Sequence, residues 1–141
     1  MNGRQRHIVV DTLGLLLMGV VTAASVHDRD GAMSLLDGLR HRFPRLRVIW
    51  ADQAYAGERI AWVWKLRPWR NVRLDIVKRP EGVKGFLLLP KRWIVERTFA
   101  WLGRYRRLSK DYEYVTQTSE TMICVAMIHL MVCRLARLTC F

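Results

Sequence analysis

Acidic residues are scarce in this chain. Asp and Glu number 12 against 24 Lys and Arg, so 141 residues carry a formal net charge of +12, and the pI lies near 10.6. Such a chain attracts polyanions, phosphate backbones first and anionic membrane surfaces second. A generally Arg-rich composition is the plainer reading of the same count. Cysteine is scarce too. Cys124, Cys133 and Cys140 are odd in number and form no CxxC pair, which disfavours a disulfide framework or a zinc ribbon and fits reduced thiols in the cytosol. The sequence has no Gly-rich phosphate loop, no GxSxG elbow and no Walker motif. His7, His27, His41 and His129 show no metal-ligand spacing. No apolar run reaches the roughly 18–20 residues of a membrane span. The runs Leu13–Val26 and Met122–Cys133 read as core instead. No cleavable leader, repeat, low-complexity tract or linker stands out.

What is present is a hydrophobic fraction of 51%, enough for one globular domain. Ile8–Val10 and Leu15–Val21 are β-favouring runs around Asp11-Thr-Leu-Gly14, the pattern of a hairpin. Asp28 and Asp30 precede apolar residues at helical spacing, and Pro44 ends that run. Arg47–Trp50 is a short strand, and Gly57–Lys65 a helix stopped by Pro68. Val72–Val77 alternates as an edge strand does. Lys91–Leu108 is strongly helical, and Thr116 opens a last helix to about Arg137. The order is β-β-α-β-α-β-α-α.

Three features carry chemistry. Asp52 follows a strand, where α/β sheets gather ligands; it is either a cation-holding carboxylate or a turn residue bonding its own backbone. Glu96 shares a helical face with Arg92, Ala100, Gly103 and Arg107. That face either admits a phosphate backbone between its arginines or carries a surface Arg–Glu pair one turn apart. Arg97, Arg104, Arg106, Arg107 and Lys110, interleaved with Trp93, Trp101 and Tyr105, form either a nucleic-acid groove or a solvated basic face.

Four segments together resemble a known family. They are Gly3-Arg-Gln-Arg-His-Ile-Val-Val-Asp-Thr-Leu-Gly-Leu-Leu16, Val26-His-Asp-Arg-Asp-Gly-Ala32, Ala51-Asp-Gln-Ala-Tyr-Ala-Gly57 and Trp93-Ile-Val-Glu-Arg-Thr-Phe-Ala-Trp-Leu-Gly-Arg-Tyr-Arg-Arg-Leu-Ser-Lys-Asp-Tyr-Glu113. The chain is similar to the IS5-type branch of the DDE insertion-sequence transposases. The resemblance implies an α/β, RNase H-like mixed sheet flanked by helices. It also implies two Asp and one Glu holding two divalent cations, Mg²⁺ or Mn²⁺, that activate water and then a DNA 3′-hydroxyl for attack on phosphodiesters. It makes Asp52 the second aspartate and Glu96 the glutamate, both catalytic and metal-binding. Arg92, Arg97, Arg104, Arg106, Arg107 and Lys110 become the contacts to double-stranded DNA at insertion-sequence ends. The family's Tyr-x-x-Arg-x-x-x-Glu-x6-Lys element keeps Arg92 and Glu96, with Leu89 in the Tyr place and Gly103 in the Lys place, followed by Arg104.

The family's first aspartate lies on a strand upstream of the segment that begins at Gly3. The expectation is therefore one truncated domain over residues 1–141, with a core at about 3–113 and a C-terminal helix at about 117–137. It lacks the first, central strand of the order 3-2-1-4-5. Asp11 falls at the wrong edge to substitute for the missing carboxylate, and Asp28 and Asp30 fall one strand too far. The chain is then part of a cytoplasmic, nucleoid-associated transposase and inactive alone. Its partners are DNA and a second copy, an intact transposase or an upstream-frame product, with no membrane. The alternatives are a non-catalytic DNA-binding remnant that inhibits intact transposase, and a basic protein of membranes or ribosomes. Two geometric expectations follow: Asp52 and Glu96 face each other across a cleft within about 4–8 Å, and the sheet is split between Ile8–Val10 and Arg47–Trp50.

Overall fold

The first strand begins earlier than alternation alone indicates. In the computed structural model, which describes residues 3–56, 72–87, 89 and 91–139, β1 spans Arg4–Val10 and pairs antiparallel with β2, Leu16–Ala23. The polar start of β1 is held from afar. Arg4 pairs with Asp111 at 3.3 Å and donates to Ser119, and Arg6 donates to the Leu108 carbonyl at 2.8 Å. The turn is built by Asp11, whose Oδ1 accepts from the backbone N–H of Leu13 and of Leu15, both at 2.9 Å. Gly14 completes it at φ +83°, a conformation that favours glycine.

Helix α1, Asp28–Arg42, buries Ala32, Leu35, Leu36 and Leu39. Asp28 and Asp30 lie in its first turn, where acids suit the helix dipole, but the N-cap is His27 and makes no side-chain cap bond. Strand β3, Val48–Asp52, pairs in parallel with β4, Arg73–Val77. The expected helix over Gly57–Lys65 lies outside the described residues. Helix α2 is Arg92–Gly103, shorter than its periodicity indicates; a separate 3-10 turn, Arg106–Leu108, follows it. Helix α3 is Thr116–Thr139.

The hairpin is the middle layer. One face, with Val9 and Leu17, packs on α1, whose core residues also meet Ile49 and Leu74 of the parallel pair. The other face, with Leu16 and Val21, packs on Leu102 of α2, Leu108, and Ile123 and Ala126 of α3. Among the described residues the fold is thus mixed α/β, with two separate two-stranded sheets, and the split falls between β1 and β3 as expected. Among the described residues no ladder joins β1 to β3.

Helix α3 corrects the reading of its apolar run as core. Thr116–Leu138 is long and apolar enough to cross a membrane, with a mean hydropathy of 1.7 and 17% of that stretch buried. Ser119, Ile123, Ala126 and Met127 are buried, but Val125, Ile128, Val132 and Leu138 are exposed. Two polar anchors dock this helix on protein. Glu120 accepts from the Val21 N–H at 2.8 Å, and the Arg134 guanidinium lies 4.4 Å from the Trp101 ring centre.

Candidate carboxylate site and basic surface

Asp52 is the last residue of β3, at the carboxyl end of a parallel pair. It makes the turn that was one of the two readings of the sequence. Its Oδ1 accepts from the Ala54 N–H and caps the short 3-10 turn Gln53–Tyr55, while its Oδ2 stays 3.8 Å from an Arg92 nitrogen. Glu96 lies one turn into α2, and its Oε1 is 3.2 Å from the Arg92 Nε. The Arg–Glu pair one turn apart is therefore formed, and the same guanidinium also reaches Asp52. Arg92 lies between these two acids as a shared counter-charge, and both line one cavity of ≈ 510 Å³.

Groups that the sequence did not single out surround this pair. Lys91 sits at φ +67°, and its ammonium lies 4.9 Å from the centre of the Trp50 ring. The Tyr55 hydroxyl is 3.2 Å from His7 Nδ1. Burial, with the charges of Asp28 and Asp52 adding to it, pushes its pKa up to about 12, so it stays a neutral phenol. Their signals were sequence adjacency to Arg92 for Lys91, and the spacing of three from Asp52 for Tyr55.

The basic tract divides. Because α2 ends at Gly103, Arg104, Arg106, Arg107 and Lys110 lie on a turn and loop and do not continue the helical face of Glu96. Arg97 is committed to the protein. Its guanidinium sits 4.6 and 4.7 Å from the ring centres of Trp93 and Trp101 and donates to the Leu13 carbonyl at 2.9 Å. Arg107 pairs with Glu113 at 2.9 Å and remains 63% exposed. Arg104, Arg106 and Lys110 are exposed.

The comparisons with known proteins bear on this arrangement. The family described as "Transposase DDE domain" matches residues 1–131. The chain belongs to the DDE transposase family. A relative from Burkholderia cepacia, described as "Putative transposase for insertion sequence element IS402", is 35% identical over 119 residues, 79% of this chain. The matched stretch is 54% of that relative, so this DDE transposase chain spans about half of its length. No solved structure matches significantly. DDE transposases act on DNA and use divalent cations. The fit of such ions to this chain is partial. Asp52 and Glu96 are two acidic donors sharing one cationic counter-group, but no cluster of three or more metal-ligating side chains occurs among the described residues. Asp11, which also lines the cavity, is occupied in its own turn.

Proposed function

We propose that this chain is the part of an IS5-type DDE transposase that supplies the second aspartate, Asp52, and the glutamate, Glu96, for cutting and joining DNA at insertion-sequence ends. The observation that carries the reading is the shared guanidinium. Two carboxylates from different elements converge on Arg92 at a parallel strand's carboxyl end, where this fold class places its ligands. In this reading Asp52 and Glu96 hold Mg²⁺ or Mn²⁺, which supplies nucleophile activation and charge neutralisation in a two-metal site. The chain's own contribution is to position the acids, with the Asp52 turn fixing one and α2 the other. Arg92, Arg104, Arg106, Arg107 and Lys110 bind the duplex backbone, and the scaffold is an RNase H-like mixed sheet flanked by helices. DNA as substrate places the protein with the nucleoid in the cytoplasm. Two carboxylates hold a metal pair poorly, so residues 1–141 alone do not cleave. A non-catalytic DNA-binding inhibitor of intact transposase is the second reading, favoured by the counter-charge that Arg92 places on both acids.

Mn²⁺ titration followed by NMR separates these readings. The first predicts paramagnetic broadening centred on Asp52 and Glu96 that disappears in Asp52→Asn and Glu96→Gln, with no cleavage of end-bearing DNA by the chain alone. Broadening that ignores both substitutions would sink the metal assignment. Efficient cleavage abolished by Asp52→Asn would show that another residue of this chain completes the site, and would overturn the inactivity.

A further inference from the structure

We infer that the outward face of α3 is a coiled-coil seam on which a second copy of this chain pairs, helix against helix. The inference goes beyond the carboxylate site and the duplex, and rests on neither.

The spacing carries the argument. Val125, Ile128 and Val132 are 51%, 55% and 57% exposed, and Leu135 is 62% exposed. They recur at intervals of three, four and three, which are the a and d positions of a heptad. Thr118 and Thr121 continue the same row toward the start of the helix. The other side of α3 is the one docked on the protein. Ser119, Ile123, Ala126 and Met127 are buried, and they occupy positions b, f, b and c. The three charges of this helix, Glu120, Arg134 and Arg137, fall at c and f as well. Docking inward and pairing outward thus use different sides of one helix. A helix face meant for water is polar, and this row holds no charged side chain.

The residue types identify the occupant. Val at a with Leu at d suits a two-stranded seam between identical helices. Charges at e and g ordinarily choose the partner of such a seam. Here those positions hold Met122, His129, Ala136, Cys124, Met131 and Leu138, with no Lys, Arg, Asp or Glu among them. Nothing on the flanks selects a different helix, and nothing repels an identical one, although the whole chain carries +12. A lipid surface fits less well, because an interfacial helix borders its apolar face with Lys and Arg. A membrane-spanning helix would have to abandon the bond of Glu120 to Val21 and the stacking of Arg134 on Trp101. Those same anchors already hold α3 in place, so pairing orders no new helix. Thr121 and Ile128 also border a cavity of ≈ 420 Å³, lined by Leu17 and Met18 with Arg42 and Glu120 as its charged members, which leaves room for a partner's side chains. The helix has 24 residues, a length of about 36 Å. A single helix pair lies at the low end of specific interfaces, below about 1,200 Å² in total, so the dimer should form at about micromolar concentrations.

Sedimentation equilibrium of residues 1–141, free of DNA, tests the seam. A monomer–dimer equilibrium is expected, with a midpoint of about 1–50 μM. Val125→Lys combined with Val132→Lys sets like charges against each other across the seam and should weaken the dimer at least about hundredfold. Arg137→Glu changes the charge of the same helix at position f and should leave the dimer intact. Methyl NMR of the unmodified chain gives a readout that stands even if the lysine variant does not fold. The signals of Val125, Ile128 and Val132 should shift with protein concentration, and those of the α1 core should not. A chain still monomeric at about 200 μM overturns the inference. So does a folded lysine variant that dimerises as well as the unmodified chain, or a concentration dependence confined to other methyls. A monomer that floats with phosphatidylcholine vesicles, and loses that flotation with the two lysines, would give the face to lipid and overturn the pairing too.

Discussion

His7 is 1% exposed and has both ring nitrogens engaged, Nδ1 with the Tyr55 hydroxyl at 3.2 Å and Nε2 with Thr22 Oγ1 at 3.1 Å. Nothing in the sequence marked it beyond membership in a resembling segment. It lies on a β-strand face against Gly31, where an added Cβ would clash with the imidazole. Burial lowers its pKa below the 6.5 usual for an imidazole, and the charge of Asp28 opposes this only partly. The folded state therefore prefers the neutral ring. The stability that His7 contributes is fully present above pH 6.5 and is lost as pH falls through the lowered folded pKa. Asp111 titrates lower. Burial alone would raise it, but hydrogen bonds from Ser119 and the Glu113 N–H, with the Arg4 charge, hold it below 3.8. Its contribution is lost only at more acid pH, so the two windows separate. Urea midpoints should fall as pH drops from about 7 to about 5, and His7→Gln should remove most of that dependence. An equally steep decline in the variant would place the titration elsewhere.

At the level of elements, the hairpin was legible and the end of α2 was not. Asp11 and Gly14 announce a turn locally, because the bonds that build it join residues two to four apart. The start of β1 escaped because its stabilising partners, Asp111 and Leu108, are more than a hundred residues away. The end of α2 escaped for a different reason. Leu102 and Leu108 are buried in one cluster with Tyr105 against it, so the apolar period runs on. The hydrogen bonding has already changed, with the N–H groups of Arg104 and Tyr105 reaching only three residues back. Of the candidate residues, Asp52 and Glu96 meet through Arg92, and their nearness was legible only through the family resemblance. The stacking of Arg97 was not legible, since alternating Trp and Arg also suits a DNA groove. Arg97 ties α2 to the β1–β2 turn, together with the bond from Thr98 Oγ1 to the Gly14 carbonyl at 2.7 Å. Arg97→Ala should cost about 1–2 kcal/mol of stability, from the lost cation–π contacts. Its effect on DNA affinity should be smaller than that of Arg104→Ala or Arg106→Ala. A thermally neutral variant that binds DNA poorly would return Arg97 to the DNA surface.

For the molecule as a whole, a net charge of +12 makes duplex binding steeply dependent on salt. Arg104, Arg106 and Lys110 are exposed and do not line the cavity that holds the carboxylate pair. Replacing all three with Ala should flatten the slope of log affinity against log salt by up to about 0.9 per lost phosphate contact, with little change in sequence preference. An unchanged slope, measured by fluorescence anisotropy across salt concentrations, would show that the duplex lies on another face.

The two half-sheets also differ in when they form. Strands β1 and β2 are joined by a short turn and pair locally, on the microsecond scale of hairpins. Strands β3 and β4 pair in parallel across some twenty intervening residues, a loop that closes later and against a larger entropic cost. On a ribosome adding about 5–20 residues per second, the stretch from Ala23 to Val77 takes about 3–10 s to appear. Throughout that interval the apolar cluster between the hairpin and α1 lacks Ile49 and Leu74. The time for which that apolar face stays incomplete is thus set by translation speed over residues 24–77.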